Sequence, residues 1–490
     1  MAATIQNGST GPSASKVGNT GYRELMWIAL GCLLCRVAGL FFDATPRFFL
    51  GDSASYLETA LTGWVPPDRS YLYGLLLRGL FHVWPTLTVV VLVQAFAGAL
   101  TGVILWAILR VRLRVGRWTS VALTGLFVLD PFILYYERAV MTESLSLLFF
   151  TAFIYFLLGA LACGGSSRCW YFVAVEICAW GLVLVRQSFL PYVVATLMFT
   201  ALVVVWRNAK ISNGVLWYSK FTRALLLGCC LVVVFMGGLA IYSRVVARLH
   251  GCPAQLSRAD GYFLSAYYAP IITPELVEDE ELRQLIFTDP RYPLTDPEFF
   301  LQRMFSRDGM INRILVRYHG DPKAEKNLML KRIALRALAR HPIGAGRIVW
   351  RTLCDHFDRT KIKASLRTAL SLDRELSDKQ KERYHASLNL AYDNSRSSFL
   401  TQAVLNSPWL PPLKAILSVV ALIGVLIWGG RSAESLLLLA APFFLLALNC
   451  AMTLMDVRYL HAQSLVLLLA AGAVYHSFIL TRNRKASLKT

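Results

Sequence analysis

The run Gly51-Asp52-Ser53-Ala54-Ser55-Tyr56 sets an aspartate and a tyrosine four residues apart, hence on one face of a helix. It continues through Trp64-Val65-Pro66-Pro67-Asp68-Arg69-Ser70-Tyr71-Leu72-Tyr73. A second run, Asp130-Pro131-Phe132-Ile133-Leu134-Tyr135-Tyr136-Glu137-Arg138, is followed at once by Met141-Thr142-Glu143-Ser144. Two further sites bear cations, Arg186-Gln187-Ser188 and Asp456-Val457-Arg458-Tyr459. Carboxylates in such settings take a proton from an attacking group, and the planar fork of arginine holds phosphate oxygens. Each run also has a structural explanation. Asp52 suits the N-cap of a helix lying on a membrane surface, and Glu137 or Glu143 suits an ion pair with Arg138.

The elements that position these residues follow from composition. With 56% hydrophobic and 16% charged residues and a mean hydropathy of +0.50, the chain carries more apolar surface than a soluble protein of this length buries. Apolar runs of roughly 17 to 25 residues, enough to cross about 30 Å of hydrocarbon, fall near 24–42, 87–109, 118–136, 139–162, 170–185, 188–206, 224–243, 412–429, 435–455 and 460–480. The fold class expected is an all-α polytopic membrane protein of about ten transmembrane helices. The span 170–185 is short, carries Glu176, and is followed by Arg186, read as the hinge of a hairpin.

Threading the chain through these spans from a cytoplasmic start puts Arg110, Arg112, Arg114 and Arg117 inside, then Arg207, Lys210, Lys220 and Arg223, then Arg482, Arg484, Lys485 and Lys489. Acidic residues behave oppositely, with 19 of the 30 in 244–411. The formal net charge of +20 is therefore topological, and no nucleic-acid partner is expected. Multi-pass insertion in the inner (plasma) membrane follows, with Asp52, Asp130, Glu143, Arg186 and Arg458 at the exoplasmic (periplasmic) ends of the spans. An ionised group at such a depth costs several kcal/mol unless it is paired or functional.

Five regions result: a disordered cytoplasmic tail over 1–23, a transmembrane catalytic module with exoplasmic loops over 24–243, a small and mainly helical exoplasmic domain over 244–411, C-terminal transmembrane helices over 412–480, and a basic cytoplasmic tail over 481–490. Within the third, Lys323 to Arg340 suits a helix with Leu328, Leu330, Ile333, Leu335 and Leu338 as its apolar positions, stopped by His341-Pro342. Cys32 and Cys35 are spaced as C-x-x-C but sit in an apolar helix, where packing is expected. Cys252 and Cys354 are the two cysteines on the exoplasmic side, and whether they pair stays open.

In order, spacing and sidedness, Gly-Asp-x-x-x-Tyr after the first span, Asp-Pro followed by Tyr-Glu-Arg and Met-Thr-Glu-Ser at the fourth, and Arg-Tyr opening the last resemble the GT-C membrane glycosyltransferases. The resemblance is to the family 39 branch that holds protein O-mannosyltransferases and the lipid A aminoarabinose transferase. It covers 24–200, recurs near 456–470, and extends loosely to Ala334–Pro342. It implies transfer of a sugar from a polyprenyl-phosphate donor to an exoplasmic lipid, glycan or protein acceptor. The family's first-loop aspartate, a general base, falls on Asp52, and the acidic residue of its second loop falls on Glu143. Ser53 stands where the family often has a second acid, so metal dependence is open and a divalent metal remains possible.

A sugar phosphodiester needs a base for the attacking hydroxyl and cations for the leaving phosphate. Asp52 suits the first, and Arg138, Arg186 and Arg458 the second. Tyr56, Asp130, Tyr136, Glu137, Glu143 and Tyr459 complete the expected substrate-binding set, and a single carboxylate base with no covalent intermediate implies inversion. Two other classes share part of this pattern. An O-antigen ligase or polymerase would place paired arginines and a histidine in the large loop, and a secondary transporter would place its charges near mid-membrane, which here only Asp130 and Glu176 approach.

Overall fold

The computed structural model describes residues 14–163, 165–209, 217–252, 254–288, 294–296, 299–318, 324–370, 378–388, 399–428, 433–452 and 460–487. The regular elements among them are helices, apart from one parallel bridge between Arg47 and Ala139. In chain order, α1 (Ala14–Phe42), α2 (Leu50–Thr62), α3 (Tyr71–Val83), α4 (Leu87–Ala107), α5 (Arg117–Val128), α6 (Pro131–Tyr136), α7 (Glu143–Ala162), α8 (Gly165–Val185), α9 (Leu190–Ala209) and α10 (Trp217–His250) form the N-terminal half. There follow α11 (Asp260–Tyr267), α12 (Glu280–Phe287), α13 (Phe300–Phe305), α14 (Met310–Arg317), α15 (Ala324–Arg340), α16 (Pro342–Asp355), α17 (Arg359–Ala369), α18 (Asp378–Leu388) and α19 (Phe399–Leu405). The chain closes with α20 (Leu410–Trp428), α21 (Ala433–Met452) and α22 (His461–Ser487).

Among the described residues, seven helical stretches are long and apolar enough to cross a membrane: Tyr22–Phe42, Leu87–Arg112, Glu143–Ala162, Ser166–Val185, Gln187–Val205, Leu225–His250 and Leu410–Ile427. Two shorter apolar stretches are Ser435–Ala451 and His461–Tyr475. The chain is thus an all-α, multi-pass membrane protein. The expected span 118–136 is not one helix. Pro131 holds Asp130 at φ −62°, ψ 117°, outside the helical region, and the Asp130 carboxylate caps α6 by accepting from Phe132 N at 2.9 Å. At 12 residues, α5 is about 18 Å long, too short to cross alone.

α7 lies at the centre, against α4 and α8, and Phe150, Phe153 and Leu157 on it are fully buried in the main apolar core. Glu143 opens this helix, while Gly159 in its last turn lies beside Arg112, whose guanidinium donates to Tyr171 Oη at 2.9 Å. Arg110 and Arg117 reach Glu24 at 3.4 and 3.5 Å. This basic cluster and Glu143 therefore stand about 24 Å apart along α7, at opposite ends of the bundle. A tag at Gly165 or after Thr490 should resist an impermeant label in intact spheroplasts, and one at Glu325 should react. Labelling at Gly165 with protection at Glu325 would reverse the orientation.

The segment 244–411 has its own apolar core, in which Tyr262, Leu282, Ile311, Leu330 and Ile348 from α11, α12, α14, α15 and α16 pack together. α15 spans the stretch read as helical and ends at His341-Pro342. Its buried face is Asn327, Leu330, Ile333, Ala334 and Ala337, whereas Leu328 and Leu335 are exposed. Small alanines let neighbouring helices approach, which a count of large apolar residues misses. Tyr267 and Tyr268 donate at 2.6 Å to Cys450 O and Ala451 O, fixing this segment to the end of α21. All ten cysteines are free, so Cys252 and Cys354 do not pair. Helix α1 begins at Ala14, inside the expected tail, and α22 continues to Ser487, through most of the basic one.

Candidate functional site

Residues 43–48 lie along residues 138–140: Arg47 N donates to Arg138 O at 2.7 Å and Val140 N to Arg47 O at 2.9 Å. This pairing sets the entry to α2. The N-cap residue is Phe49, with no side-chain cap, and Asp52 sits in the first turn instead, where the positive end of the helix favours its charge. The neighbouring Ser53 is fully buried; its hydroxyl accepts from Phe49 N at 2.9 Å and donates to Val140 O at 2.8 Å. Residue 53 is thus a tie between the two loops. The capping role considered for Asp52 is not the one it plays.

Asp52 is ion-paired with Arg69, which also grips Asp68 through two nitrogens, each at 3.2 Å. The loop carrying Arg69 is firmly held. Ser70 caps α3, accepting from Tyr73 N at 3.0 Å, and donates to Leu184 O at 2.6 Å at the end of α8. From the long segment, Arg258 donates to Pro67 O and Val65 O, both at 2.7 Å. Two residues past Leu184, Arg186 breaks the helix at φ −144° and pairs with Glu143 at 2.6 Å.

Tyr56 lies among all four groups, Asp52, Arg69, Glu143 and Arg186. Burial raises its phenol well above the ordinary range, the Asp52 carboxylate adding to the effect, so it stays a neutral hydroxyl. Tyr73 packs edge-on against it at 4.8 Å. Burial works against the charge of Arg69, but Asp52 and Asp68 more than offset it and raise its pKa. Side-chain exposure separates the roles: Asp52, Arg69 and Arg186 keep 19%, 15% and 10%, whereas Glu143 keeps 2%. Three groups are reachable from water, and Glu143 anchors one of them from within.

The remaining expected residues lie elsewhere. Asp130, besides capping α6, pairs with Lys414 of α20 at 3.4 Å and accepts from Ser464 of α22 at 2.9 Å, joining three helices. Glu137 and Arg138 are fully buried in a cluster with Arg36 of α1, at 2.7 Å from Arg36 to Glu137 and 3.2 Å from Arg138 to Glu137. Arg138 also donates to Asp43 O and Leu134 O. Its guanidinium is fully buried. Tyr136 is buried beside His461. Arg458 and Tyr459 lie outside the described residues. Glu176 is buried in α8, and neither of its carboxyl oxygens has a hydrogen-bond partner among the described residues.

Sequence reasoning missed Arg69, Tyr73, Arg36 and His461. Arg69 had a signal, as a charged residue after Pro66-Pro67 in the same loop as Asp52. Among the described residues no three His, Cys, Asp or Glu side chains are grouped to hold a metal ion. A scan against protein-family models, a search of curated proteins and a search of solved structures each return no match.

Proposed function

We propose that this chain is an integral-membrane glycosyltransferase of the GT-C type, moving a sugar from a polyprenyl-phosphate donor to an exoplasmic acceptor with inversion. The observation that carries it is the meeting of two acid–arginine pairs, Asp52 with Arg69 and Glu143 with Arg186, around the Tyr56 hydroxyl at the end of the bundle opposite Arg110, Arg112 and Arg117. An amphiphilic phosphodiester needs this combination at a membrane edge: cations at headgroup depth, a base open to water, and apolar helix flanks for its tail.

In this reading Asp52 takes the proton of the acceptor hydroxyl as it attacks the anomeric carbon. The bond from that carbon to the phosphate oxygen breaks, and the polyprenyl phosphate leaves with both bonding electrons. Arg69 and Arg186 hold its oxygens as charge develops. Arg69 thereby takes the role expected of Arg138, since it has exposure and Arg138 has none. Glu143 holds the Arg186 fork in place, and Tyr56 supplies a neutral hydrogen-bonding hydroxyl between the two pairs.

The test is transfer by the purified chain in liposomes with labelled polyprenyl-phosphate sugars, scoring release of polyprenyl phosphate. Arg186→Ala should cost about 2–4 kcal/mol of transition-state stabilisation, and Arg186→Lys part of it, because a point charge does not reproduce a forked contact. Equal rates for wild type, Lys and Ala variants would remove Arg186 from the site. No transfer or hydrolysis with any polyprenyl-phosphate sugar would end the reading.

A further inference from the structure

His461, the first residue of α22, is buried and stands edge-on to Tyr136 at 6.2 Å between ring centroids. Ser146 links it to the site. The Ser146 hydroxyl donates to Glu143 O at 2.9 Å, so its lone pair accepts from His461 Nε2 at 3.4 Å. His461 thereby braces the first turn of α7, the turn that carries Glu143.

The same histidine lines a small cavity together with Tyr136, Glu137, Glu143 and Ser144, with about 10 Å3 of space for a water centre. That is room for one water. Two polar atoms of the residues that line it, Glu143 Oε2 and Ser144 Oγ, are buried without a hydrogen-bond partner among the described residues, although Glu143 Oε1 is engaged by Arg186 at 2.6 Å. An unsatisfied carboxylate oxygen at 2% side-chain exposure costs several kcal/mol unless a donor reaches it. A water here would accept from Ser144 and donate to the carboxylate, meeting both needs.

We infer that His461 is a positioning residue, which with one enclosed water holds the Glu143 carboxylate on Arg186. The link to turnover rests on the transfer reading above, whereas the bracing of Glu143 does not. The chain of contacts runs from α22 through Ser146 and the cavity to Glu143, then to Arg186 at the mouth of the site. Nothing in it requires His461 to touch substrate.

Infrared difference spectroscopy on the full purified chain decides it without an assay. The Glu143 carboxylate band is assigned by subtraction of the Glu143→Gln spectrum. It should shift in His461→Phe, which fills the space but donates nothing, and return in His461→Gln, whose amide nitrogen replaces Nε2. An O–H band that moves on exchange into oxygen-18 water should be present in wild type and lost in Ser144→Ala. In the transfer assay, His461→Phe should lower kcat by about tenfold or more at unchanged KM, with recovery in the Gln variant. An unshifted Glu143 band in His461→Phe, or no isotope-sensitive water band, would overturn the inference. Absence of transfer by the wild type would count against the functional reading alone, and the infrared bands would still decide the role of His461.

Discussion

Replacing Asp52 by Asn should lower sugar transfer by about 100-fold or more while the protein still inserts and folds. The side chain keeps its size and its acceptor oxygen for Arg69, but it no longer takes a proton at neutral pH. Folding should be spared for reasons visible in the structure. The cap position of α2 is Phe49, the tie to the next loop is made by Ser53, and Arg69 retains Asp68. What is lost is a charge in the first turn, worth about 0.3–1 kcal/mol. Asp68→Asn provides the comparison: it removes a carboxylate from the same arginine without removing the base, and should cost far less turnover. Rates with a polyprenyl-phosphate sugar, alongside melting temperatures of both variants, separate the cases. Near-normal turnover in Asp52→Asn would leave the ion pair with a purely structural part.

Much of this arrangement was legible because it depends on local rules. The basic clusters mark one end of the bundle through loop charge alone, and Arg110, Arg112 and Arg117 do gather there around Glu24 and Tyr171. The helical period puts Asp52 and Tyr56 on one face, and the two do share the site. Asp130-Pro131 could have been read as a break, since the residue before proline avoids the helical region; its apolar flanks, Phe127 and Val128 before and Phe132 and Ile133 after, hid the interruption inside a hydropathy window. What stayed hidden was partnership across long separations. Glu143 could pair with Arg138, five residues away, or with Arg186, and only the packing of α7 beside α8 selects Arg186. His461 stood at the head of an apolar span, next to Gln463 and Ser464, and its meaning comes from a hydroxyl 315 residues earlier in the chain.

The buried cluster of Arg36, Glu137 and Arg138 should be the most expensive group in the bundle to disturb. Arg36 crosses from α1 to donate to Val128 O at 2.6 Å, the carbonyl that α5 leaves unpaired where Asp130-Pro131 ends it, and meets Glu137 at 2.7 Å. Glycine at position 98 permits this, because a Cβ there would lie 1.9 Å from Glu137 Oε1. Arg36→Met keeps the length of the chain but leaves Glu137 with one cation and Val128 O without a donor. Breaking a buried ion pair from one side costs about 3–5 kcal/mol. Gly98→Ala should act from the other direction, by pushing the carboxylate off Arg36. If both act through Glu137, combining them should cost less than the sum of the two, since residues in one network do not add. Thermal unfolding in detergent measures all three variants. An Arg36→Met protein as stable as wild type, or strictly additive losses, would mean that the cluster is held by the surrounding apolar packing and not by its charges.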